Sequence, residues 1–276
     1  MYKYKILNNI ASEGINILEN NSFINDDNDP DGLLLRSQVL SKEDFNKNLK
    51  CIGRAGAGTN NIPISVATDK GVVVFNTPGA NANAVKELVV CGMLLASRGI
   101  IDGSNYAKNL ISDDPTEINK SMEAQKKMFK GSEIKGKTLG IIGLGAIGSQ
   151  LAATAEIMGM DIIGFDPYIS VDAAWRLPQS VIKAETIDAL LAESDYISVH
   201  VPLVESTMNL ICTKTIKSFK TGAKLINLSR GGIVNNEDVI KALSEEKISC
   251  YVTDFPTPEL IKRSKVNNDI ILLPHI

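Results

Sequence analysis

Short apolar runs, rich in valine, isoleucine and leucine, alternate with longer segments of helical periodicity along most of the chain. Strands that alternate with helices are typical of a parallel sheet flanked by helices. A polar stretch at roughly 101–136 separates the runs into two series and is predicted to be a connector. The predicted strands cover residues 3–7, 32–36, 50–54 and 72–76 in the first series, and 137–143, 161–166, 196–201, 224–229, 250–255 and 269–274 in the second.

Turn and helix signals divide the chain into two predicted domains. Pro63 favours a helix start and Gly71 favours a helix stop between two predicted strands, which together predict a βαβ unit. The stretch 82–98 is long and apolar, as expected for a helix that joins the two series. We therefore predict one domain over 1–81 and a second over 82–276.

Composition argues against several classes of function. The chain has 276 residues, of which 44% are hydrophobic and 22% are charged, and its net charge is −3, so we expect no nucleic-acid-binding surface. It contains no run of 18 or more apolar residues, so we predict no membrane span. Its cysteines are far apart without a CxxC pair, which favours reduced thiols, no metal site and a cytoplasmic location. These cysteines are Cys51, Cys91, Cys212 and Cys250.

A glycine-rich turn after the first strand of the second series predicts a dinucleotide site. Gly143, Gly145 and Gly148 form the pattern G-x-G-x-x-G between a predicted strand and a predicted helix. The first glycine permits a tight turn, the second lets the backbone approach a pyrophosphate, and the third allows close packing of helix and strand. Asp166 ends the next strand, where a carboxylate binds the adenosine ribose and repels the extra phosphate of NADP. We therefore predict NAD as the cofactor.

Residues near the ends of other predicted strands suit redox chemistry on a carbonyl group. Arg230 follows a strand beside two glycines, and a planar guanidinium binds a carboxylate through two hydrogen bonds. Of the two histidines, we interpret His200 as a packed, hydrogen-bonded core residue and His275 as a candidate acid/base. Asp254 and Glu259 are both candidate partners of His275, and the residues alone leave this choice open.

Seven stretches of the chain carry a family resemblance. They are "GRAGAGTNNI" (53–62), "FNTPGANANAVKEL" (75–88), "KGKTLGIIGLGAIG" (135–148), "FDPYIS" (165–170), "NLSRGGIVNNE" (227–237), "YVTDFPTPEL" (251–260) and "LLPHI" (272–276). Their order resembles that of the D-isomer-specific 2-hydroxyacid dehydrogenases, and within that family the branch that oxidises 3-phosphoglycerate. The resemblance implies an α/β protein of two Rossmann-like or flavodoxin-like doubly wound parallel-sheet domains, with substrate bound by the first and NAD by the second.

The resemblance also implies a role for each candidate residue. Arg230 is expected to bind the substrate carboxylate and carbonyl, His275 to act as the acid/base, and Glu259 to be its partner. The implied substrate is a small phosphorylated 2-hydroxy or 2-keto acid. The other implied substrate-binding residues are Arg36, Arg54, Gly56 and Ala57, and the implied cofactor-binding residues are Gly143, Gly145, Ala146, Ile147, Gly148, Asp166, Val201, Ser229 and Asp254.

The chain departs from the family pattern at two places. The family usually reads Asp-x-Phe before its catalytic glutamate, whereas Asp254 adjoins Phe255 directly. The family also continues past the histidine that His275 resembles, with a Gly-Ala-Ser-Thr loop and a helix that returns to the first domain. We therefore expect the chain to be a truncated piece of a longer protein.

Two alternative functions stay open from the sequence. One is the same chemistry on another D-2-hydroxy acid, such as glycerate or lactate. The other is a NAD-sensing role without turnover, as in the corepressors that share this fold. The resemblance also implies a homodimer that forms through the cofactor domain, with an interface near residues 82–98.

Overall fold

The computed structural model of the protein describes residues 1–275 and divides into two compact units. The first unit is Met1–Asn81, and the second begins at Ala82. Within the described residues, each unit is built on its own parallel sheet, of five strands in the first and seven in the second. The predicted fold class is therefore confirmed. None of the helices in residues 1–275 is long and apolar enough to cross a membrane.

The first unit alternates short strands with helices, as its hydrophobic pattern predicts. Its elements are β1 (Lys3–Ile6), α1 (Ser12–Asn20), β2 (Ile24–Asn25), β3 (Gly32–Leu35), β4 (Cys51–Arg54), α2 (Ile64–Lys70) and β5 (Val73–Phe75). Helix α2 starts directly after Pro63 and ends at Gly71, whose positive φ of 67° closes the helix in the left-handed conformation. The predicted βαβ unit is thus confirmed.

The sheet of the first unit has the order β2-β1-β3-β4-β5, with every neighbouring pair parallel. This is a doubly wound order, in which the direction of strand succession reverses beside β1. On one face, Leu33, Leu35 and Ile52 pack into a core together with residues of α2. On the other face, Val73 and Phe75 are 52% and 60% exposed, and Phe75 lies beside a groove of about 330 Å³.

The second unit repeats the alternation of strand and helix on a larger scale. Its helix α3 fits the predicted apolar helix at 82–98, and its major strands fall where the apolar runs predict them. The elements are α3 (Ala82–Ser97), α4 (Ile100–Lys108), α5 (Pro115–Phe129), β6 (Thr138–Ile142), α6 (Ala146–Ile157), β7 (Asp161–Phe165), α7 (Val171–Ala174), β8 (Ile182–Lys183), α8 (Ile187–Glu193), β9 (Tyr196–Val199), α9 (Thr213–Ile216), β10 (Ala223–Asn227), α10 (Asn236–Ser244), β11 (Ile248–Thr253), α11 (Pro258–Ser264) and β12 (Ile270–Leu272).

The seven strands follow the order β12-β11-β10-β9-β6-β7-β8, and all pairs are parallel. The chain enters the middle of the sheet at β6, proceeds outward to β8, and then crosses to β9 on the other side of β6. Helices α3 and α6 pack on one face, and α8, α10 and α11 pack on the other, so both faces are buried. Ile141 and Ile142 point into opposite cores, which explains why the strand reads as a continuous apolar run.

The polar stretch predicted as a connector is largely helical. It contains α4 and α5, and α5 is capped by the carboxylate of Asp114, which accepts from the backbone N–H of Thr116. The ring of Phe129 packs against Gly103 and lies 5.8 Å from the ring of Tyr106. Neither helix contains a buried residue. Their sequences contain fewer apolar residues than those of α3 and α6, which is why this stretch was predicted only as a polar connector.

Two short strands were missed, and several strand ends differ from the prediction by one or two residues. Strands β2 and β8 were not predicted, because two residues are too few to establish an alternating pattern. Strand β9 ends at Val199, so that His200 follows the strand instead of lying within it. This shift of two residues places His200 at the edge of the sheet where the functional candidates lie.

Candidate functional site

The predicted site residues of the second unit gather at one edge of its sheet. Because all its strands are parallel, their carboxyl ends lie along the same edge. Ligands of open α/β sheets bind at this edge, where strand succession reverses. In this unit that switch point lies between β6 and β9. The residues that follow the strands at this edge are Gly143, Asp166, His200, Ser229, Arg230, Asp254 and His275.

Each glycine of the turn after β6 meets a different steric demand. Gly143 has a φ of 94°, and a Cβ there would lie 2.7 Å from the carbonyl oxygen of His200. A Cβ on Gly148 would overlap the carbonyl oxygen of Gly143, so only glycine lets α6 pack this closely. Nothing lies within 4 Å of the Cβ position of Gly145, which therefore faces open space. This arrangement fits a turn whose second glycine lies against a ligand.

The amino end of α6 is open to an anion. Gly145 caps the helix, and no side chain accepts a hydrogen bond from its first turn. Within the part of the chain that the structure describes, no hydrogen bond engages the amides of Ala146 and Ile147. Free N–H groups and the positive end of the helix dipole are the features that bind phosphate. Gly145 and Ala146 are exposed, and Ile147 is half-buried.

Asp166 is fixed beside this turn by the backbone. Its Oδ2 accepts from the N–H of Leu144 at 2.9 Å, and its Oδ1 accepts from the N–H of Tyr168 at 2.9 Å. Each carboxylate oxygen has a further lone pair, so both can accept another hydrogen bond. The carboxylate is therefore oriented and half-exposed, as a ligand for ribose hydroxyls requires.

His200 and Val201 form the opposite wall of the glycine turn. The Cγ1 atom of Val201 lies 3.0 Å from the Cβ position of Gly143. The Nε2 atom of His200 lies 2.8 Å from the hydroxyl oxygen of Ser198, whereas its Nδ1 is buried without a partner. Burial lowers the pKa of His200 to about 4, so the ring is neutral at pH 7. The interpretation of His200 as a packed, hydrogen-bonded residue agrees with these contacts.

Asn227 organises the turn that carries Ser229 and Arg230. Its Oδ1 accepts from both the N–H and the hydroxyl of Ser229, at 3.2 and 2.9 Å. Its Nδ2 donates to the carbonyl of Arg230 at 3.0 Å. Ser229 is buried, and Arg230 is exposed, with one guanidinium N–H donating to the carbonyl of Ser229 at 2.6 Å. The remaining guanidinium donors leave Arg230 able to bind a carboxylate.

His275 pairs with Asp254 across the ends of two neighbouring strands. Nδ1 of His275 lies 2.6 Å from Oδ2 of Asp254, and the rings of Phe255 and His275 are 5.3 Å apart. A carboxylate accepts but does not donate, so Nδ1 donates the proton in this hydrogen bond, and in the neutral ring Nε2 keeps its lone pair. The histidine side chain is 68% exposed and that of Asp254 is 5% exposed. The pair therefore presents a basic nitrogen on an oriented ring.

In this structure His275 pairs with Asp254 and not with Glu259, and the catalytic role expected of Glu259 stays a prediction. Glu259 lies in the first turn of α11 and is exposed. Its own backbone N–H and the Thr257 hydroxyl lower the pKa of its carboxyl group, and no hydrogen bond among residues 1–275 joins it to His275. The physical reason is that β11 and β12 are adjacent and parallel, with Thr253 opposite Leu272, so Asp254 emerges beside the segment that carries His275.

In the first unit, Arg54 ends β4 and its side chain folds over the following turn. Its Nε donates to the carbonyl of Arg36 at 3.2 Å. Gly56 has a φ of 153°, and a Cβ there would lie 2.5 Å from the Nη1 atom of Arg54. Glycine at this position therefore makes room for the guanidinium. Arg36 is exposed, and its backbone N–H donates to Asn8 at 3.2 Å.

The family resemblance implies that backbone N–H groups after Arg54 bind the substrate carboxylate, and in this structure they are only partly open. The N–H of Gly56 donates to the Thr77 hydroxyl at 2.7 Å and to the carbonyl of Arg54 at 3.0 Å. The carbonyl of Ala57 accepts from Asn76 at 2.7 Å. In the residues that the structure describes, no hydrogen bond engages the amide of Ala57. Ala57 thus fits the expected role of an anion donor better than Gly56 does.

Asn227 and Thr77 support the candidate residues and were not singled out from the sequence. Both act through short-range hydrogen bonds to the backbone of a turn. The signal for Asn227 was present, because an asparagine two residues before a serine at a strand end is typical of an Asx turn. Thr77 gave no such signal, since its partner Gly56 lies on a different strand connection.

Comparison with known proteins points to one family. Residues 93–276 match the family described as D-isomer specific 2-hydroxyacid dehydrogenase, NAD binding domain. The chain is 34% identical over 251 residues to the D-3-phosphoglycerate dehydrogenase of Synechocystis, a match that covers 89% of this chain and 43% of that protein. It is 36% identical over 256 residues to the hydroxypyruvate reductase of Thermotoga maritima, covering 89% of this chain and 77% of that one. The chain therefore spans less than half the length of its phosphoglycerate dehydrogenase relative.

A solved structure extends this similarity to three dimensions. The NAD⁺-bound 3-phosphoglycerate dehydrogenase of Entamoeba histolytica is 26% identical and superposes with a TM-score of 0.74. The match covers 99% of this chain and 86% of that chain. The predicted family and the predicted cofactor, NAD, are both confirmed by these similarities.

Proposed function

Because this chain belongs to the D-isomer-specific 2-hydroxyacid dehydrogenases, we propose that it transfers hydride between NAD and C2 of a small 2-hydroxy acid, with 3-phospho-D-glycerate as the substrate. The product is 3-phosphohydroxypyruvate, in the first step of serine biosynthesis. The observation that carries this proposal is the convergence of the glycine turn, Arg230 and the Asp254–His275 pair on one sheet edge. The similarity to a D-3-phosphoglycerate dehydrogenase supports the choice of substrate.

The residues at this edge fit a NAD molecule. Gly145 leaves the space that a pyrophosphate needs, and the uncapped start of α6 supplies N–H donors. Asp166 has acceptor capacity for the ribose hydroxyls. The Oδ1 atom of Asp254 is buried without a partner, and the carboxamide of the nicotinamide is a donor that would satisfy it. Ser229 and Val201 are proposed as further walls of the same site.

In the proposed reaction, the chain holds the substrate and moves one proton. Arg230 binds the carboxylate through two N–H donors, because its planar fork matches the two oxygens. Nε2 of His275 takes the proton of the 2-hydroxyl group during oxidation and returns it during reduction. Asp254 keeps the ring in the required tautomer and stabilises its cationic form. The bound NAD supplies the acceptor for the hydride.

Two carboxylates are available to test which one supports His275. We expect Asp254→Asn to lower kcat by about 10²–10⁴-fold, because the neutral amide can donate to the ring, which favours the wrong tautomer, and cannot stabilise the cationic form of the ring. We expect the matched variant Glu259→Gln to lose less than about threefold, since Glu259 makes no contact with His275. Steady-state rates with saturating NADH measure both. A larger loss in the Glu259 variant would return the role to that residue.

Two arginines of the first unit are proposed for the substrate phosphate. Arg54 has a guanidinium held over Gly56, and Arg36 is exposed on the preceding connection. We expect Arg54→Gln to raise KM for the phosphorylated substrate by about tenfold or more, the effect of losing one charge-assisted contact. Its KM for hydroxypyruvate should change by less than twofold, because that molecule lacks the phosphate. Arg36→Gln tests the second, more exposed arginine in the same way, and the variant with the larger rise in KM identifies the arginine that contributes more to phosphate binding.

The first experiment is NADH oxidation by this chain with three keto acids, namely 3-phosphohydroxypyruvate, hydroxypyruvate and pyruvate. A kcat/KM at least about tenfold higher for the phosphorylated acid, a difference of about 1.4 kcal/mol, supports the proposed substrate. A preference for pyruvate contradicts it. Binding of NADH without turnover of any of the three would instead favour the sensing role.

A second candidate is the reduction of hydroxypyruvate. It is favoured by the Thermotoga maritima relative, because this match covers 77% of that protein against 43% of the phosphoglycerate dehydrogenase from Synechocystis. The same assay decides between the two candidates. If the chain is a hydroxypyruvate reductase, its kcat/KM should be higher for hydroxypyruvate than for 3-phosphohydroxypyruvate.

We also propose a homodimer in the cytoplasm. Helix α3 supports the dimer, because its outer face exposes the apolar Cys91 and Leu94, the latter by 38%. The cysteines support the compartment, since all four are free thiols. Light scattering on a size-exclusion column measures the mass. A monomer across a tenfold range of concentration would contradict the dimer.

A further inference from the structure

His200 is a half-buried titratable group with a fully buried Nδ1 atom, and the proposed reaction does not use it. It lies at the carboxyl end of β9, next to β6, and so at the switch point of the sheet. Its Nε2 atom is hydrogen-bonded to the hydroxyl of Ser198, two residues earlier on the same face of the strand. The backbone N–H of His200 donates to the carbonyl of Ile142 at 2.7 Å. A hydrogen bond to Ser198 of β9 therefore orients the ring of His200, and a hydrogen bond to Ile142 of β6 orients its backbone.

The backbone of His200 in turn supports the glycine turn. Its carbonyl oxygen lies so close to Gly143 that a Cβ there would be 2.7 Å away. On the other side, the N–H of Gly143 donates to the carbonyl of Phe165 at the end of β7. Gly143 is therefore clamped between the ends of two strands. Any movement of His200 would change the turn that presents the amides of α6.

We propose that His200 is a positioning residue for the pyrophosphate of NAD. Bound to Ser198, its ring fixes the carbonyl that backs Gly143, and so it sets the shape of the turn and the direction of the open amides of Ala146 and Ile147. This inference depends on NAD binding and not on turnover, so its test is independent of which substrate the chain uses.

The hydrogen-bonding pattern of the ring supports a positioning role over simple packing. The Nδ1 atom is buried without a partner, and an unsatisfied buried polar atom destabilises the folded chain. A phenylalanine would fill the same space without that cost. Burial also keeps the ring neutral at pH 7, so it places no extra charge beside the turn. What histidine provides that phenylalanine does not is the bond to Ser198.

The test compares binding of three nucleotides by His200→Phe, which keeps the ring but removes the bond to Ser198. We expect its affinity for NADH and for ADP-ribose to fall by the same factor, about three- to tenfold, as for the loss of one hydrogen bond. Affinity for AMP, which lacks the pyrophosphate, should stay within twofold. His200→Gln, which restores a partner for Ser198, should bind NADH within twofold of the natural chain. Ser198→Ala provides the same test from the other side of the bond.

The matched control is Tyr196→Phe on the same strand. It removes another buried hydrogen bond, from the Tyr196 hydroxyl to Ser97 at 2.7 Å, but at the opposite end of β9. We expect it to change NADH affinity by less than twofold. The proposal is overturned if His200→Phe binds NADH and ADP-ribose like the natural chain, or if AMP affinity falls equally. It is also overturned if Tyr196→Phe reproduces the loss. Isothermal titration measures all these affinities without any substrate.

Discussion

Gly145 and Gly148 are three residues apart, and we expect alanine at each position to weaken NADH binding by a different mechanism. Gly145 has a φ of −70°, which any residue adopts, and open space at its Cβ position. Gly148 lies inside α6, and its Cβ position overlaps the carbonyl oxygen of Gly143. The first variant therefore obstructs only a ligand, whereas the second disturbs the protein itself.

The structure gives the size of each effect on stability. In Gly145→Ala, the lower entropy of the unfolded chain stabilises by about 0.4–1 kcal/mol, and the poorer helix cap destabilises by a similar amount. The melting temperature should therefore stay within about 3 °C. In Gly148→Ala, the overlap requires α6 to move away from β6, at a cost of about 2–3 kcal/mol. At about 2–4 °C per kcal/mol, this lowers the melting temperature by roughly 5–10 °C.

Both variants should have a lower affinity for NADH, for different reasons. A methyl group on Gly145 occupies the space for the pyrophosphate and should weaken NADH at least about tenfold, or 1.4 kcal/mol. Thermal unfolding followed by circular dichroism, with NADH titration by fluorescence, separates stability from binding. If Gly145→Ala binds NADH within twofold of the natural chain, the pyrophosphate does not approach the backbone at this glycine, and the assignment of the turn is refuted.

Three further predictions follow from particular side chains. Folding lowers the pKa of His200 from 6.5 to about 4, so between these pH values the unfolded chain binds more protons than the folded chain. The contribution of His200 to stability is therefore present above pH 6.5 and is lost as the pH falls. At pH 5, urea unfolding should show a free energy of unfolding lower by about 2 kcal/mol, and His200→Phe should not show this loss. Arg230→Lys keeps the charge but not the planar fork, so kcat/KM should fall by about tenfold or more with NADH affinity unchanged within twofold; equal activity would refute bidentate binding. Burial raises the pKa of Cys250 to about 12, so mass spectrometry at pH 8 should find iodoacetamide on the exposed Cys91 and not on Cys250.

The glycine turn and the strand ends show which features could be predicted from the local sequence. The spacing of Gly143, Gly145 and Gly148 predicts the turn because each glycine answers a short-range steric demand. Asp166 was predicted beside it for the same reason, since one βαβ unit fixes both. Helices α4 and α5 were predicted only as a connector, because they are mostly polar and contain no buried residue.

The partner of His275 could not be predicted from sequence. Asp254 and Glu259 are both carboxylic acids and lie five positions apart. The sequence alone does not indicate which of them faces the next strand. The pairing of Thr253 with Leu272 decides it, because that register brings Asp254 to the segment of His275. A helix start at Thr257 turns Glu259 away and gives its carboxylate other partners.

The sequence by itself determined the fold class, the cofactor and the set of residues at the carboxyl edge of the sheet. These depend on periodicity and on short spacings, which are local properties of the chain. Only the tertiary structure decided which groups touch across neighbouring strands: the side chain of Asp254 beside His275, and the backbone carbonyl of His200 against Gly143. The physical reason is that a parallel sheet brings together residues that are distant along the chain, and its strand register sets their contacts to within one residue.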